Sequence, residues 1–327
     1  MYQVQMAEYG APGVLHLVEV PDAEPGPGQV AIRTAAAGIT FVETQMRAGR
    51  PPWPGPGPAL PAVLGNGVEG TIVSAGPDVD QALIGMRVVT ATGGLGGYAD
   101  RVVVGAEEPV RVPGGLPRGT AVALLADGRT ALALIRAAAI TTGDRVLVTA
   151  AAGGVGSLLV QLSRAAGARH VTAAASSTRK LDVARTLGAD AAADYSSPGW
   201  AAQVRAVTGT LDVVFDGVGG DIGNDALGLL GRGGRFLAYG AASGTFTGAS
   251  GIERREISSR GIEFIPGNTV VRTAEDNRAL VEQGLALAAA GRLSPTIGQV
   301  FPLSKAAEAH AAIEARATIG KTILVPG

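Results

Sequence analysis

The chain has 327 residues, no cysteine, a formal net charge of −1 and 46% hydrophobic residues. That length exceeds one ordinary core and predicts two domains. The missing cysteines exclude a disulfide frame, a thiolate nucleophile and cysteine-ligated zinc. The near-neutral balance gives no electrostatic case for nucleic acid or an anionic membrane. No apolar run reaches the length of a membrane span and Met1 to Gly10 shows no signal-peptide pattern, so a soluble cytoplasmic protein is expected.

Residues 1–118 read as short strands between turns, with no helix–strand alternation, and predict a β-rich domain of irregular topology. Pro25-Gly26-Pro27-Gly28 punctuates before an alternating strand over Gln29–Ala35. Further strands are expected over Leu83–Thr90 and Tyr98–Val104. The stretch from Arg50 to Pro58 is rich in proline and cannot join a helix or a central strand. It is either a surface connection with Trp53 folded back on the core, or a cleft wall offering Trp53 to a flat substrate. Glu69, a carboxylate in an apolar context, is expected to be paired structurally.

Residues 119–263 alternate strand and helix as a doubly wound parallel sheet requires. Val146–Ala150 runs as a buried strand into Ala151-Ala152-Gly153-Gly154-Val155-Gly156 and then an apolar helix over Val155–Ala166. This is a variant of the dinucleotide fingerprint with Ala151 at its first glycine position, and it places a helix N-terminus where a pyrophosphate can sit. A second strand follows over His170–Ala175, then a helix over Thr178–Leu187 and strands at Ala191–Tyr195, Leu211–Asp216 and Gly234–Gly240. An NAD site usually carries a carboxylate at the end of the second strand, for the ribose 2′-OH. Here the segment is Ala175-Ser176-Ser177-Thr178-Arg179-Lys180, whose hydroxyls and cations suit a 2′-phosphate, and NADPH is favoured over NADH.

In residues 264–327, helical spacing over Ala274–Ala290 and Ala306–Ala315 precedes a last strand, Lys321–Pro326. His310 on the second of these helices is expected to be a packing or surface histidine.

Taken together, Ala151–Gly156, Lys180-Leu181 with Leu187–Asp190, Asp216–Gly220, Tyr239–Gly244 and Arg316–Lys321 occur in an order that resembles one family across nearly the whole chain. They are similar to the zinc-independent quinone oxidoreductases (zeta-crystallin-like) of the medium-chain dehydrogenase/reductase superfamily. The resemblance implies an α/β chain: a GroES-like domain over residues 1–118, a Rossmann dinucleotide-binding domain over 119–263, and a return to the first domain over 264–327. It implies hydride transfer from NADPH to a quinone or an α,β-unsaturated carbonyl in a cleft between the domains, and a homodimer. Enoyl-thioester or natural-product enone reduction is an alternative, and a non-enzymatic NADPH-binding scaffold is a reading of another class.

By the same resemblance, Lys180 and Ser176 would hold the 2′-phosphate, with Tyr195 near the adenosine ribose or phosphate. Ala152, Gly153, Gly154 and Val155 would line the pyrophosphate. Thr130, Val218, Tyr239, Gly240 and Ser243 would flank the rest of the cofactor, and Arg316 would close over it. Phe41, Trp53, Asn66 and Thr130 are the expected substrate pocket. No metal is expected, because the family's histidine ligand position is Asn66 here.

Two departures stand out. Many of these reductases read Val-Asn-x-x-Asp where this chain has Ile39-Thr40-Phe41-Val42-Glu43. Thr40 is the one catalytic candidate, as a substrate or nicotinamide contact. Asp127 and Arg129 bring two charges to a stretch where small apolar residues are usual, as a structural pair or as pocket-shaping groups. The apolar stretch Gly261–Ile265 is the expected dimer edge.

Overall fold

A computed structural model describes residues 1–51, 55–248, 251–270 and 273–327. Its Cα positions divide into two compact units: Met1–Ala126 with Val281–Gly327, and Asp127–Leu280. Trp53, an expected pocket residue, lies outside the described residues.

The first unit opens with strands β1 (Tyr2–Met6) and β2 (His16–Glu19), then a long strand β3 (Gln29–Ile39) and a short helix α1 (Phe41–Arg47). Strands β4 (Ala62–Val63), β5 (Gly67–Ala75), β6 (Arg87–Ala91), β7 (Arg101–Gly105) and β8 (Val110–Arg111) follow. Helix α2 (Thr120–Ala138) then runs from the first unit into the second.

The strand expected over Gln29–Ala35 extends to Ile39 and is mostly buried, because β3 is covered by partners on either side: β5 and β7 over its first half, β5 and a later strand over its second. The strand expected from Leu83 begins only at Arg87. Asp80 accepts the Ala82 N–H at 2.9 Å and turns Gln81–Leu83 into a 3₁₀ turn, and Gly85 at φ 90° redirects the chain. Neither α1 nor α2 was expected.

The second unit follows the expected alternation closely. Its elements are β9 (Arg145–Val148), α3 (Gly154–Ala165), β10 (His170–Ala175), α4 (Thr178–Thr186), β11 (Ala191–Asp194) and α5 (Trp200–Thr208). Then come β12 (Leu211–Asp216), α6 (Gly220–Leu229), β13 (Leu230–Ala238), α7 (Gly251–Ser259) and β14 (Glu263–Pro266). All six strands are parallel, in the order β11-β10-β9-β12-β13-β14. Val146, Leu147, Val148, Val213, Val214 and Phe215 are wholly buried, which is why these strands read as continuous apolar runs. Sequence order reverses direction between β9 and β12, so the ligand crevice of this sheet lies beyond their carboxyl ends.

Helix α8 (Ala274–Ala289) leads back to the first unit, which closes with β15 (Ile297–Pro302), α9 (Ala306–Glu314) and β16 (Lys321–Val325). The main sheet of that unit runs β15-β16-β3-β5-β6-β8, with β7 also on β3, and a second sheet runs β2-β1-β4. Arg47 on α1 pairs with Glu314 on α9 and also donates to the Gly10 carbonyl, tying the short helix to the returning segment. His310 is buried on α9 and shares a hydrogen bond of 2.9 Å with the Tyr98 hydroxyl, so it is a core histidine with a partner. No described helix is long and apolar enough to cross a membrane.

Candidate functional site

At the head of α3 the fingerprint turn is closed by its own backbone: Gly153 N–H donates to the Ala150 carbonyl at 2.8 Å, and Ser157 N–H to the Gly153 carbonyl at 2.9 Å. A Cβ on Gly156 would stand 2.2 Å from the Ala150 oxygen, so helix and strand approach only because this residue is glycine. A Cβ on Gly154 would stand 2.0 Å from an Asp127 carboxylate oxygen, which places that carboxylate directly against the turn. The first-turn N–H groups of α3 have no acceptor within the helix and form the cradle an anion needs.

Beside it, at the reversal of sheet order, the carboxyl ends of β9 and β12 are locked together. The Thr149 hydroxyl donates to Asp216 Oδ1 at 2.8 Å and accepts the Gly217 N–H at 2.9 Å. Asp216 also accepts the Val218 N–H at 3.0 Å, the Gly219 N–H at 3.1 Å and the Thr247 hydroxyl at 2.9 Å. This network brings several expected cofactor residues together: Tyr239 N–H and Gly240 N–H both reach the Asp216 carbonyl, and Ser243 N–H reaches the Val218 carbonyl at 2.8 Å. The Tyr239 hydroxyl donates to the Thr149 carbonyl at 2.8 Å, and burial, followed by the charge of Asp216, pushes its pKa well up. That phenol is a strut with its proton committed. The sequence reading did not single out Thr149 and Asp216 as the hub; the small polar residues ending each strand were the signal.

At the end of β10, Lys180 Nζ lies 3.3 Å from Ser176 Oγ, a cation and a hydroxyl on one side of the head of α4. Tyr195 N–H donates to the Ala175 carbonyl at 3.1 Å and its ring meets Trp200 edge-on at 6.4 Å. Thr130, on α2 in the same unit, is partly buried. Burial holds the Arg129 guanidinium below its ordinary value against the charge of Asp127, and its Nε has no hydrogen-bond partner among the described residues.

In the first unit, Thr40 caps α1 and Glu43 reaches back to it as the carboxylate of a capping box. Glu43 Oε2 accepts the Thr40 N–H at 2.8 Å and is also bonded to the Thr40 hydroxyl, while Oε1 accepts the Asn66 N–H at 3.0 Å. Thus Thr40 and Asn66 meet on one buried carboxylate, a residue that the sequence reading did not name as part of the site. Phe41 follows Thr40 in the chain and is 39% exposed. Arg316 is exposed beyond the end of α9, with φ at 55°. Glu69 is paired as expected: it takes an ion pair from Arg87 and the N–H groups of Gly119, Ala121 and Val122 at the head of α2.

No group of three His, Cys, Asp or Glu side chains is placed to hold a metal among the described residues. The chain offers no cysteine and three histidines, of which His310 is committed to Tyr98. The donor set does not fit a cysteine–histidine zinc centre.

Against known proteins, residues 26–114 match the alcohol dehydrogenase GroES-like domain and residues 187–324 match a zinc-binding dehydrogenase domain. The chain is 34% identical to a quinone oxidoreductase of Pseudomonas aeruginosa over 99% of both chains. It is also 34% identical to a 2-haloacrylate reductase of a Burkholderia species, covering 97% of this chain and 96% of that one. Among solved structures, the Escherichia coli quinone oxidoreductase complexed with NADPH superposes with a TM-score of 0.88 at 28% identity, over the whole of both chains. A mycobacterial protein complexed with NADPH gives 0.87 at 31% identity, again over both whole chains. Full-length similarity at this level, on a GroES-like unit joined to a doubly wound parallel sheet, means that the chain belongs to the quinone oxidoreductase family of the medium-chain dehydrogenase/reductase superfamily.

Proposed function

We propose that the protein is an NADPH-dependent, zinc-independent reductase that passes hydride to a quinone or an α,β-unsaturated carbonyl. The observation that carries this reading is the glycine-framed head of α3 together with the Lys180–Ser176 pair at 3.3 Å and no carboxylate in Ala175–Lys180. When bound, the nicotinamide supplies the hydride, and the chain's residues bind, orient and polarise.

In the second unit, the N–H groups around Ala152, Gly153, Gly154 and Val155 would take the pyrophosphate. Lys180 and Ser176 would take the 2′-phosphate, with Tyr195 beside the adenosine half. Thr130, Val218, Tyr239, Gly240 and Ser243 would position the nicotinamide half, held in place by the Asp216 hub. In the first unit, Arg316 would contact the cofactor, and Thr40, Phe41 and Asn66 the acceptor. Functionally, residues 119–263 are then the dinucleotide-binding part, and 1–118 with 264–327 the acceptor part. We also propose a cytoplasmic homodimer paired through the edge strand β14, which ends the six-stranded sheet; light scattering on the purified protein giving a monomer removes that idea.

The test is oxidation of NADPH with p-benzoquinone, methyl vinyl ketone and a 2-haloacrylate. No oxidation with any of them, despite tight NADPH binding, turns the reading to a non-enzymatic binding protein. For the cofactor, Lys180→Ala is expected to weaken NADPH binding by about 1.5–3 kcal/mol, the scale of hydrogen bonds to charged groups, and to leave NADH nearly unchanged. Equal losses for both cofactors refute the assignment.

A further inference from the structure

We infer that Thr40 and Glu43 form a proton-delivery pair: the Thr40 hydroxyl gives its proton to the reduced acceptor, and the Glu43 carboxyl restores it. The inference rests on the reading above, with the acceptor held at Thr40.

The chemistry needs a proton at the acceptor. Hydride brings two electrons but only one of the two hydrogens the reduction needs, so it leaves an enolate on an unsaturated carbonyl, or a hydroquinone monoanion, that must be protonated. A threonine hydroxyl alone is far too weak an acid for that task and needs a group behind it that replaces its proton. Here the group behind it is Glu43, 1% exposed, bonded to both the hydroxyl and the N–H of Thr40. Thr40 is only partly buried and its chain neighbour Phe41 is 39% exposed, so the bonded pair joins an enclosed carboxyl to a residue at the accessible surface.

A purely structural capping box makes a different arrangement sufficient. Its glutamate works as an ion, near the helix N-terminus and in reach of water. Glu43 has instead been taken out of water, and burial pushes its pKa up, against the opposing Thr40 hydroxyl bond and the charge of Lys321. The groups that face it are Thr40 on its own helix, Asn66 at the start of β5, Lys321 on β16 and Tyr98 ahead of β7. Tyr98 does not compete as a proton source, since burial pushes its phenol well above 10.0. Lys321 supplies a countercharge for the carboxylate left after delivery.

The proton balance closes on these two side chains. With Glu43 neutral, its O–H donates to Thr40 Oγ1 and leaves the threonine hydrogen aimed outward. Delivery breaks the Thr40 O–H and forms a C–H or O–H bond on the acceptor. The Glu43 O–H then breaks as the Thr40 O–H reforms, and the Thr40 hydroxyl donates back to Oε2 of the carboxylate. No heavy atom has to move; one hydrogen bond reverses its direction. After product leaves, a proton from solvent adds to Thr40 Oγ1 as the Thr40 proton passes to Glu43 Oε2, which restores both groups.

The experiment compares wild type with Thr40→Val, Thr40→Ser and Glu43→Gln, using NADPH and methyl vinyl ketone. The readouts are kcat and KM against pH, the isotope effect on kcat in heavy water, and the protonated-carboxyl infrared band of the free protein. We expect kcat to fall by about a hundredfold in Thr40→Val and Glu43→Gln, with KM changed by less than about threefold, and Thr40→Ser to keep most of the rate. The alkaline limb of the wild-type profile and its heavy-water effect should disappear in Glu43→Gln, together with an infrared band that in wild type persists above the ordinary glutamate range. Wild-type kcat and pH profile in Thr40→Val, or a loss confined to KM, overturn the pair alone. A wild-type protein that oxidises no NADPH overturns both the pair and the reading beneath it. Should Glu43→Gln fold poorly, the Val and Ser variants of Thr40 still decide.

Discussion

Asp216 in the second unit and Glu69 in the first are both buried carboxylates, and the two are held in different ways. Asp216, at the end of β12, is surrounded by hydroxyls and turn amides: Thr149 and Thr247 through their side chains, Val218 and Gly219 through their N–H groups. Glu69, on β5, is surrounded by groups that can only donate: the guanidinium of Arg87 on one oxygen, and on the other the N–H groups of Gly119, Ala121 and Val122. A hydroxyl can turn round and accept, whereas a guanidinium or a backbone N–H cannot. One site is therefore tolerant of a neutral amide in place of the carboxylate and the other is not. The first unit depends on charge inside it, and the second on shape and neutral hydrogen bonds at the head of its crevice.

The same isosteric change at both positions separates the two sites most widely. In Glu69→Gln, either the Arg87 guanidinium or three backbone N–H groups must face the new NH₂, and the cost is expected to be about 3–5 kcal/mol, the range for removing one partner of a buried ion pair. In Asp216→Asn, the NH₂ can donate to the Thr247 oxygen while Oδ1 keeps Thr149, Val218 and, at 3.3 Å, the Gly219 N–H that loses its bond to Oδ2, and about 1–2 kcal/mol is expected, the loss of a hydrogen bond or so. Urea unfolding of both variants measures the difference. Equal costs, or a larger loss at Asp216, refute the distinction.

The contrast also explains how far each region was legible. The second unit is a succession of strand, turn and helix, each spelled locally: Val146–Val148 as an apolar run, Gly153 to Gly156 as the turn, Gly188 as a helix stop. The pairing of Lys180 with Ser176 is an i, i+4 relation on a short stretch and could be anticipated. The first unit keeps its information in distant contacts. Glu69 meets Arg87 18 residues on and its backbone donors 50 and more residues away, and Glu43 meets Asn66 23 residues on, so neither partner set has a local signature. Helix α1 did have one, the Thr-x-x-Glu box of Thr40 to Glu43, which was read as a departure from a family motif instead of as a helix start. Helix α2 was hidden by Gly128 and by the two charges of Asp127 and Arg129 in its middle.

Burial inside the first unit also makes its stability depend on pH. His310 is held down to about 3, by burial and then by the Arg47 charge, against an ordinary 6.5. The unfolded histidine takes up a proton as pH falls through about 6.5 while the folded one does not, so stability is lost from there down toward pH 3. At pH 5 the loss from this residue is about 2 kcal/mol, from roughly 1.4 kcal/mol per pH unit below the unfolded value. Glu43 works the other way: its raised pKa lets the folded chain take a proton first, which returns some stability as pH falls toward the ordinary 4.5. His310→Gln removes only the first effect. Unfolding free energies at pH 7 and pH 5 should therefore differ by about 2 kcal/mol less in that variant than in wild type, and an unchanged difference means that His310 is not the titrating group.

The smallest expected effect tests the same contrast at the surface. Arg164 on α3 pairs with Asp190 at 3.0 Å, and Arg87 on β6 pairs with Glu69; both arginines are themselves partly exposed, at 45% and 34%. What differs is the carboxylate: Asp190 is 30% exposed and Glu69 1%. Asp190 also accepts the Val171 N–H at 2.8 Å, so it keeps an anchor and its water when Arg164 is removed. Arg164→Ala should cost about 0.2–1 kcal/mol, and the loss should shrink further in high salt. Arg87→Ala leaves a buried carboxylate with backbone donors alone and no cation, and its cost should be several-fold larger and nearly insensitive to salt. If the two variants lose the same stability with the same salt dependence, the arginine's exposure governs the pair, and burial of the acid is irrelevant. A wide gap that persists in high salt places the difference at the carboxylate, where the distinction between the two units begins.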